Sequence, residues 1–526
     1  MRCTALLVIT LVFLPTTAIR GQEPVRGGPP IIDSIIIVTR DIFDSTEASR
    51  NVFFRIANAL HVTTRPSVIR HELLFRVGEP YDSAKVAETE RNLRGRGLFR
   101  DVEIDTVHVG DRVNVQVNTA DGWTTELILN ARSTGDEVSW AVGAQERNLL
   151  GTGARLGLTY RDEPDRTAVT LRGGMDRIRG TRFGVDGRFD YLSDGEVGAW
   201  QAGVPFRAFA DRWAVELSGA AGRQRILQFR DGDSLETYRR RLLLQSGHLT
   251  YALGASPDGY LRLGLLGQLK REEYLLDSVW VGRGASVPDT VTGALGIFAD
   301  LVDARFKVVK HYNGFDRDED LDLSTRVTVA AWVAPDVFGY RENGIGPGVF
   351  VQLGAALGKN FARLQAAANG LFTSSGLDSG QVRIAFTAAS QVIPKSATVL
   401  HVQYGARRGT PPGSEFDLGH GLGPRAFGPH AFTGDRSVWG SIEQRAFLID
   451  EVLGILGVGF VAFLDYGGAW FADQPSRLGG DVGVGLRVGA TRATGQNIGG
   501  LDLAYRFGDG VDGDRWVVSF GRGFAF

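Results

Sequence analysis

The chain has 526 residues, with 58 Lys+Arg against 60 Asp+Glu and a formal net charge of −2, so there is no bulk electrostatic case for a nucleic-acid partner. Its 70 glycines follow no collagen period, and 43% hydrophobic residues is too many for a disordered chain. Beyond the leader no apolar run reaches the ~18 residues that a spanning helix needs, which excludes a helical membrane protein and leaves many short strands and turns.

At the N-terminus, Arg2 precedes an apolar run at residues 5–14, followed by Pro15, Thr16, Thr17 and Ala18. That order of charge, short apolar core and small-residue exit is the layout of a secretory signal peptide, with cleavage expected after Ala18 or Gly21 and a leader of residues 1–21. The single cysteine, Cys3, would leave with the leader, so the exported chain is expected to have no disulfide, no thiolate metal site and no cysteine nucleophile. No cofactor or metal is expected.

A small mixed domain follows at residues 31–120. Ile35, Ile36, Ile37 and Val38 form a β-branched strand. Apolar spacing near 3.6 predicts two short helices, one over residues 67–75 with Ser67 as N-cap after Pro66, the other over residues 82–96 opening at Asp82 and Ser83. Residues 99–107 and 113–117 then alternate and are expected to pair across a turn. The predicted order is strand, helix, helix, strand, strand.

From Trp123 to Phe526 apolar residues recur at every second position in runs of about ten, the period of strands with one greasy and one polar face. Leu156, Leu158 and Tyr160 oppose Arg155, Gly157, Thr159 and Arg161; residues 183–191, 381–388 and 399–404 repeat the arrangement. The clearest case places Val458, Phe460, Ala462, Leu464 and Tyr466 opposite Gly459, Val461, Phe463 and Asp465. Alternation alone fits a soluble sandwich as well as a membrane barrel. Three features favour the barrel: the expected export, a region of roughly 400 residues that is too long for one sandwich, and aromatics at run ends such as Trp470, Phe471, Trp516 and Phe526. At roughly 25 residues per strand with its connection, about 16 antiparallel strands are expected over residues 123–526.

The C-terminal residues Ser519, Gly521, Phe524 and Phe526 resemble the terminal signal by which outer-membrane barrels are recognised for insertion. Residues 78–104 (GEPYDSAKVAETERNLRGRGLFRDVEI) resemble the core of a polypeptide-transport-associated (POTRA) domain. Residues 421–434 (GLGPRAFGPHAFTG) resemble the loop with a Val-Arg-Gly-Phe/Tyr element in BamA/TamA-like outer-membrane assembly barrels, also called bacterial surface antigen barrels. Arg425 and Phe427 are kept, while Pro424 and Ala426 stand for Val and Gly. The resemblance places Glu443 and Asp465 at the family's two acidic strand positions, and it implies a lumen loop anchor formed by Arg425, Phe427, Glu443 and Asp465. Independently of the name, a guanidinium in a barrel lumen needs fixed carboxylates, because a bidentate pair is strong and oriented where water is scarce. Asp465 lies on the polar face, and Glu443 shares parity with Ser441 and Arg445. A scatter of unrelated lumen charges is the other arrangement these residues allow.

Other chemistry-bearing strings are weak. Gly232-Asp233-Ser234-Leu235 matches a short esterase string, but no Asp-x-x-His follows near the C-terminus. Asp316, Asp318, Asp320 and Asp322 imitate calcium spacing without the Gly and Glu of a calcium loop, and read as a solvated turn entering a strand. The eight histidines form no HExxH cluster. The sequence thus predicts a non-enzymatic, 16-stranded transmembrane barrel preceded by one α+β POTRA domain, with the barrel in the outer membrane and the domain in the periplasm. By resemblance it assists insertion or translocation of unfolded client polypeptides, with membrane lipid as its surroundings and periplasmic accessory proteins as a further class of partner. A secretion pore for one partner and a passive porin or surface antigen are the alternatives. The barrel seam is expected between residues 123–132 and 515–526.

Overall fold

The structure is a computed structural model that describes residues 29–526 except 135–136, 231, 277–289, 410, 420–421, 495–497, 512, 523 and 525–526. The expected leader, with Cys3, Ala18 and Gly21, lies outside the described residues, as does Phe526.

The first unit is a three-stranded sheet with β1 (Ile31–Arg40), β2 (Phe99–Val109) and β3 (Arg112–Asp121) in the order β1-β3-β2. β1 runs parallel to β3 and β2 antiparallel to it, through a tight turn at Gly110. Between β1 and β2 come four helices: α1 (Ser45–Arg50), α2 (Val52–Leu60), α3 (Pro66–Arg70) and α4 (Ser83–Gly95). In α4 the Asp82 carboxylate accepts from Ala84 N and Lys85 N, and Val86 and Leu93 face Ile32, Phe99, Val113, Val115 and Val117 in the core. α3 is capped otherwise than Ser67 suggested. Pro66 itself opens the first turn, where its fixed φ fits and its missing N–H costs nothing, and Arg65 is the N-cap. α1 and α2 have no counterpart among the predicted elements. α1 has only six residues, and the apolar residues of α2 do not point at the core whose period a sequence reading follows.

The second unit is a closed antiparallel barrel of 20 strands, not 16. Several connections are two-residue turns, such as residues 164–165, 193–194, 257–258, 358–359 and 374–375, so each strand with its connection takes about 20 residues rather than 25. The predicted alternation sets which face is which. In the strand Leu456–Trp470, Phe460, Leu464 and Tyr466 are exposed on the outside while Val461, Phe463 and Asp465 are buried inside. Leu156 and Leu158 are likewise exposed on the outer wall. No helix among the described residues is long and apolar enough to cross a membrane, and the exposed apolar band lies on strands that close on themselves and so leave few free edges in lipid.

The small domain is docked across the end of the barrel from which it enters. Asn92 Nδ2 donates to Arg207 O (2.9 Å), Glu88 Oε1 accepts from Phe209 N (2.7 Å), and Arg94 makes a bidentate pair with Asp320 (2.7 and 2.7 Å). On the opposite side of this rim Arg492 pairs with Glu47 (2.7 Å) and Glu451 (2.8 Å). Asp320 is therefore a partner of the small domain rather than part of a solvated turn.

Candidate functional site: a filled lumen beside a thin seam

The connection between the strands Ser396–Arg408 and Arg436–Val452 folds back into the lumen from the end opposite the small domain. Two three-residue strands within it, Phe416–Leu418 and Phe432–Gly434, pair with each other and stiffen its stem. Phe427 is fully buried among Phe416, Leu418, Phe432, Trp439 and Ala469. Gly479 is required beside it, because a Cβ there would stand 2.7 Å from the ring tips of both Phe427 and Phe432.

At the loop tip the structure brings together Arg425, Glu443 and Asp465. Arg425 Nε donates to Asp465 Oδ2 (2.6 Å), and its Nη2 donates to Asp465 Oδ1 (3.0 Å) and Glu443 Oε1 (2.7 Å). The guanidinium also lies 3.8 Å over the Phe463 ring. Both carboxylates are fully buried. Ala426, in the position where the family has Gly, has its methyl among Val461, Phe463, Ala504 and Val517, and its N–H donates to Asp481 Oδ2 (3.0 Å). Asp481 sits directly opposite Asp465 in the neighbouring strand and escaped sequence reading. The signal was available, since alternation along the strand Gly479–Ala490 places Asp481 on the face of Gly483, Gly485 and Arg487.

A second segment, residues 304–324, enters the lumen from the end at which the small domain docks. Its hairpin pairs Phe306–Val309 with Glu319–Asp322. The Glu319 carboxylate fastens the segment by accepting from Tyr312 N (3.1 Å), Asn313 N (2.8 Å) and Gly314 N (3.0 Å). Burial raises the pKa of Glu319 although these three donors oppose it. Phe315 reaches across to Phe447 (5.2 Å between centroids). The two inserted segments meet at Arg445: its Nη1 donates to Tyr312 O (3.0 Å) and Asn313 Oδ1 (2.7 Å), while its Nε donates to Glu443 Oε2 (2.7 Å). Glu443 thus stands between Arg425 of the upper loop and Arg445, which holds the lower one.

The seam closes beside this cluster. The first barrel strand is Thr125–Thr134, two residues later than expected, and Trp123 instead forms an isolated bridge to Ala493. The last strand is Trp516–Arg522, shorter than expected at both ends. Ser519 is on it and faces inward, and Gly521 lies close to Arg132. Phe524 has left the sheet and packs inside the lumen, under the Arg445 guanidinium (4.3 Å) and against Phe447 (5.9 Å). Among the described residues the first and last strands share one paired position, Phe520 opposite Ser133, whereas the last strand keeps seven with its other neighbour. On the lipid side the gap is a groove of about 640 Å³ lined by Leu127, Leu129, Ala131, Leu501, Phe520 and Gly521.

A sequence profile for POTRA domains, described as surface antigen variable number repeat, matches residues 58–122. The outer membrane protein assembly factor BamA of Neisseria meningitidis serogroup B is 28% identical over 145 residues, a match that spans 26% of this chain and 17% of that protein. Among solved structures, BamA from Haemophilus ducreyi lacking POTRA domains 1–3 aligns with a TM-score of 0.41 and 12% identity over 95% of this chain and 85% of its own. CdiB from Escherichia coli aligns with a TM-score of 0.46 and 12% identity over 97% and 93%. The matched domain and the closed barrel define an outer-membrane β-barrel protein with a periplasmic POTRA domain. Its POTRA segment and part of its length are similar to BamA, and its barrel has 20 strands.

Proposed function

We propose that this protein helps client polypeptides insert into, or cross, the outer membrane by lending them the edge of its first barrel strand. The reading rests above all on the seam: among the described residues Phe520–Ser133 is the one pair that joins its two strands, so that once the wall parts a client strand can match the main chain of the first strand by β-augmentation. Phe524 itself points into the lumen, away from that edge. Gly521 in the last strand has no side chain to pack and weakens its hold further. No covalent step is involved, and the protein acts as a template rather than an enzyme. Loops entering from both ends speak against a passive porin, which needs an open lumen. The Arg425 cluster serves to hold the upper loop while the wall beside it opens.

The test is a lock on the seam. A Ser133→Cys/Phe520→Cys variant places thiols at facing positions, where neighbouring strands bring Cα atoms within about 7 Å. The oxidised protein is expected to fold as a barrel yet lose client insertion, and to regain it on reduction. Full activity of quantitatively crosslinked protein would discard lateral opening. Comparing the outer-membrane proteome after depletion then separates broad assembly from service to one secreted partner.

A further inference from the structure

α2 carries its apolar residues on the wrong side for a water-soluble domain. Its protein-facing side consists of Phe54, stacked on Phe43 (3.9 Å, 5° between planes), and Asn58, which accepts from Phe43 N (3.2 Å) and donates to Phe43 O (2.8 Å). Its outward side is Val52, Phe53, Ile56 and Leu60, one helical face by spacing, with Phe53 75% and Leu60 72% exposed. Helices of soluble domains turn such a stripe toward a core, and a contiguous exposed stripe marks an interaction surface.

The position of α2 says what covers it. A Cβ on Gly454 would come within 2.9 Å of the Phe54 ring, so α2 abuts the periplasmic turn between the strands Arg436–Val452 and Leu456–Trp470. In the same turn Leu453 is 79% exposed, and Leu448 and Ile449 just above it are exposed on the barrel wall. The apolar stripe therefore continues the lipid-facing band of the barrel at its lower rim. Arg50 and Arg55 are exposed on and beside α2, placed to meet lipid phosphates. Nine residues make about 13.5 Å of helix, far short of a span but suited to lying in the interface.

We infer that α2 is an interfacial membrane anchor, its Phe53, Ile56 and Leu60 side chains sunk into the periplasmic leaflet and its arginines among anionic phospholipid headgroups. This rests on the outer-membrane location and not on the proposed client activity. The anchor fixes the POTRA domain to the bilayer on the same side of the rim as Arg492 and Ala493, next to the seam.

The test uses the full-length protein in nanodiscs of phosphatidylethanolamine and phosphatidylglycerol. Leu60→Cys and, separately, Phe53→Cys are labelled with a polarity-sensitive fluorophore, with Val107→Cys on the exposed end of β2 as reference. Expected are blue-shifted emission and loss of intensity with brominated lipid at positions 53 and 60, but not at 107, and a weaker effect when phosphatidylcholine replaces phosphatidylglycerol. Water-like emission and free quenching by aqueous iodide at both positions would overturn the anchor and leave the stripe to a periplasmic protein. Because each substitution is at an exposed side chain, heat-modifiable gel mobility checks that the barrel is intact.

Discussion

Arg425 balances the carboxylates of the upper cluster, but not all to the same degree. Glu443 keeps Arg445 when Arg425 is lost, whereas Asp465 has no other cation among its described partners. Arg425→Ala is therefore expected to destabilise the folded barrel, by up to about 3–5 kcal/mol and less where water enters, while leaving export intact. The midpoint of heat-modifiable gel mobility measures it, and a wild-type midpoint would remove the anchoring role. Asp481→Asn is the contrasting case. The amide keeps an acceptor for Ala426 N–H and removes one negative charge opposite Asp465, so the same midpoint should stay or rise; a clear fall would mean that Asp481 acts as a counter-ion. His430, at the outer end of the loop, lies between Asp417 (2.6 Å) and Asp165 (3.0 Å) and stacks on Phe229. Burial disfavours its charge, yet the two carboxylates outweigh burial and push its pKa up to about 9. A raised pKa stabilises the folded contact fully below the unfolded value near 6.5, and that contribution disappears as pH rises through about 9. Limited proteolysis of residues 409–435 in intact barrels should accelerate between pH 8 and 10 in the wild type, and His430→Phe should abolish the pH step.

Among elements, those with a period of two were legible and those defined by contact were not. Alternation in Leu456–Trp470 survives whatever surrounds the strand, so the inward placement of Val461, Phe463 and Asp465 could be read directly. Strand number depends on connection length, and two-residue turns such as 164–165 carry too little sequence to be counted against longer ones. The Asp-rich segment near residue 320 looked like a turn, since nothing local announces that Arg94 lies 226 positions away in sequence but 2.7 Å away in space. Phe524 matched a terminal strand signal and yet sits in the lumen, because Arg445 and Phe447 offer its ring a cationic and aromatic site that alternation does not encode. Of the four residues that the motif singles out, Arg425, Glu443 and Asp465 meet in one cluster, whereas Phe427 packs apart from them among Phe416, Leu418 and Phe432. Parity alone marks Arg445 in the sequence, and its role as the meeting point of two segments follows only from the fold.

At the scale of the molecule the barrel is stoppered twice, from above by residues 409–435 and from below by residues 304–324, with the POTRA domain gripping the lower stopper through Arg94 and Asp320. The two stoppers share Glu443, one carboxylate with a guanidinium on each side. Such a shared group makes the two ends of the pore exchange free energy. By thermodynamic reciprocity, any effect that loosening one has on the other is equal in both directions. Glu319→Ala, which unfastens the lower segment without touching the upper one, should thus make residues 409–435 more open to protease added outside the cell, and an unchanged cleavage rate would show the stoppers to be independent. If they are coupled, the outer face of the protein reports on events at its inner face, and a binder that grips the surface loop would be felt as a tighter hold on the POTRA domain.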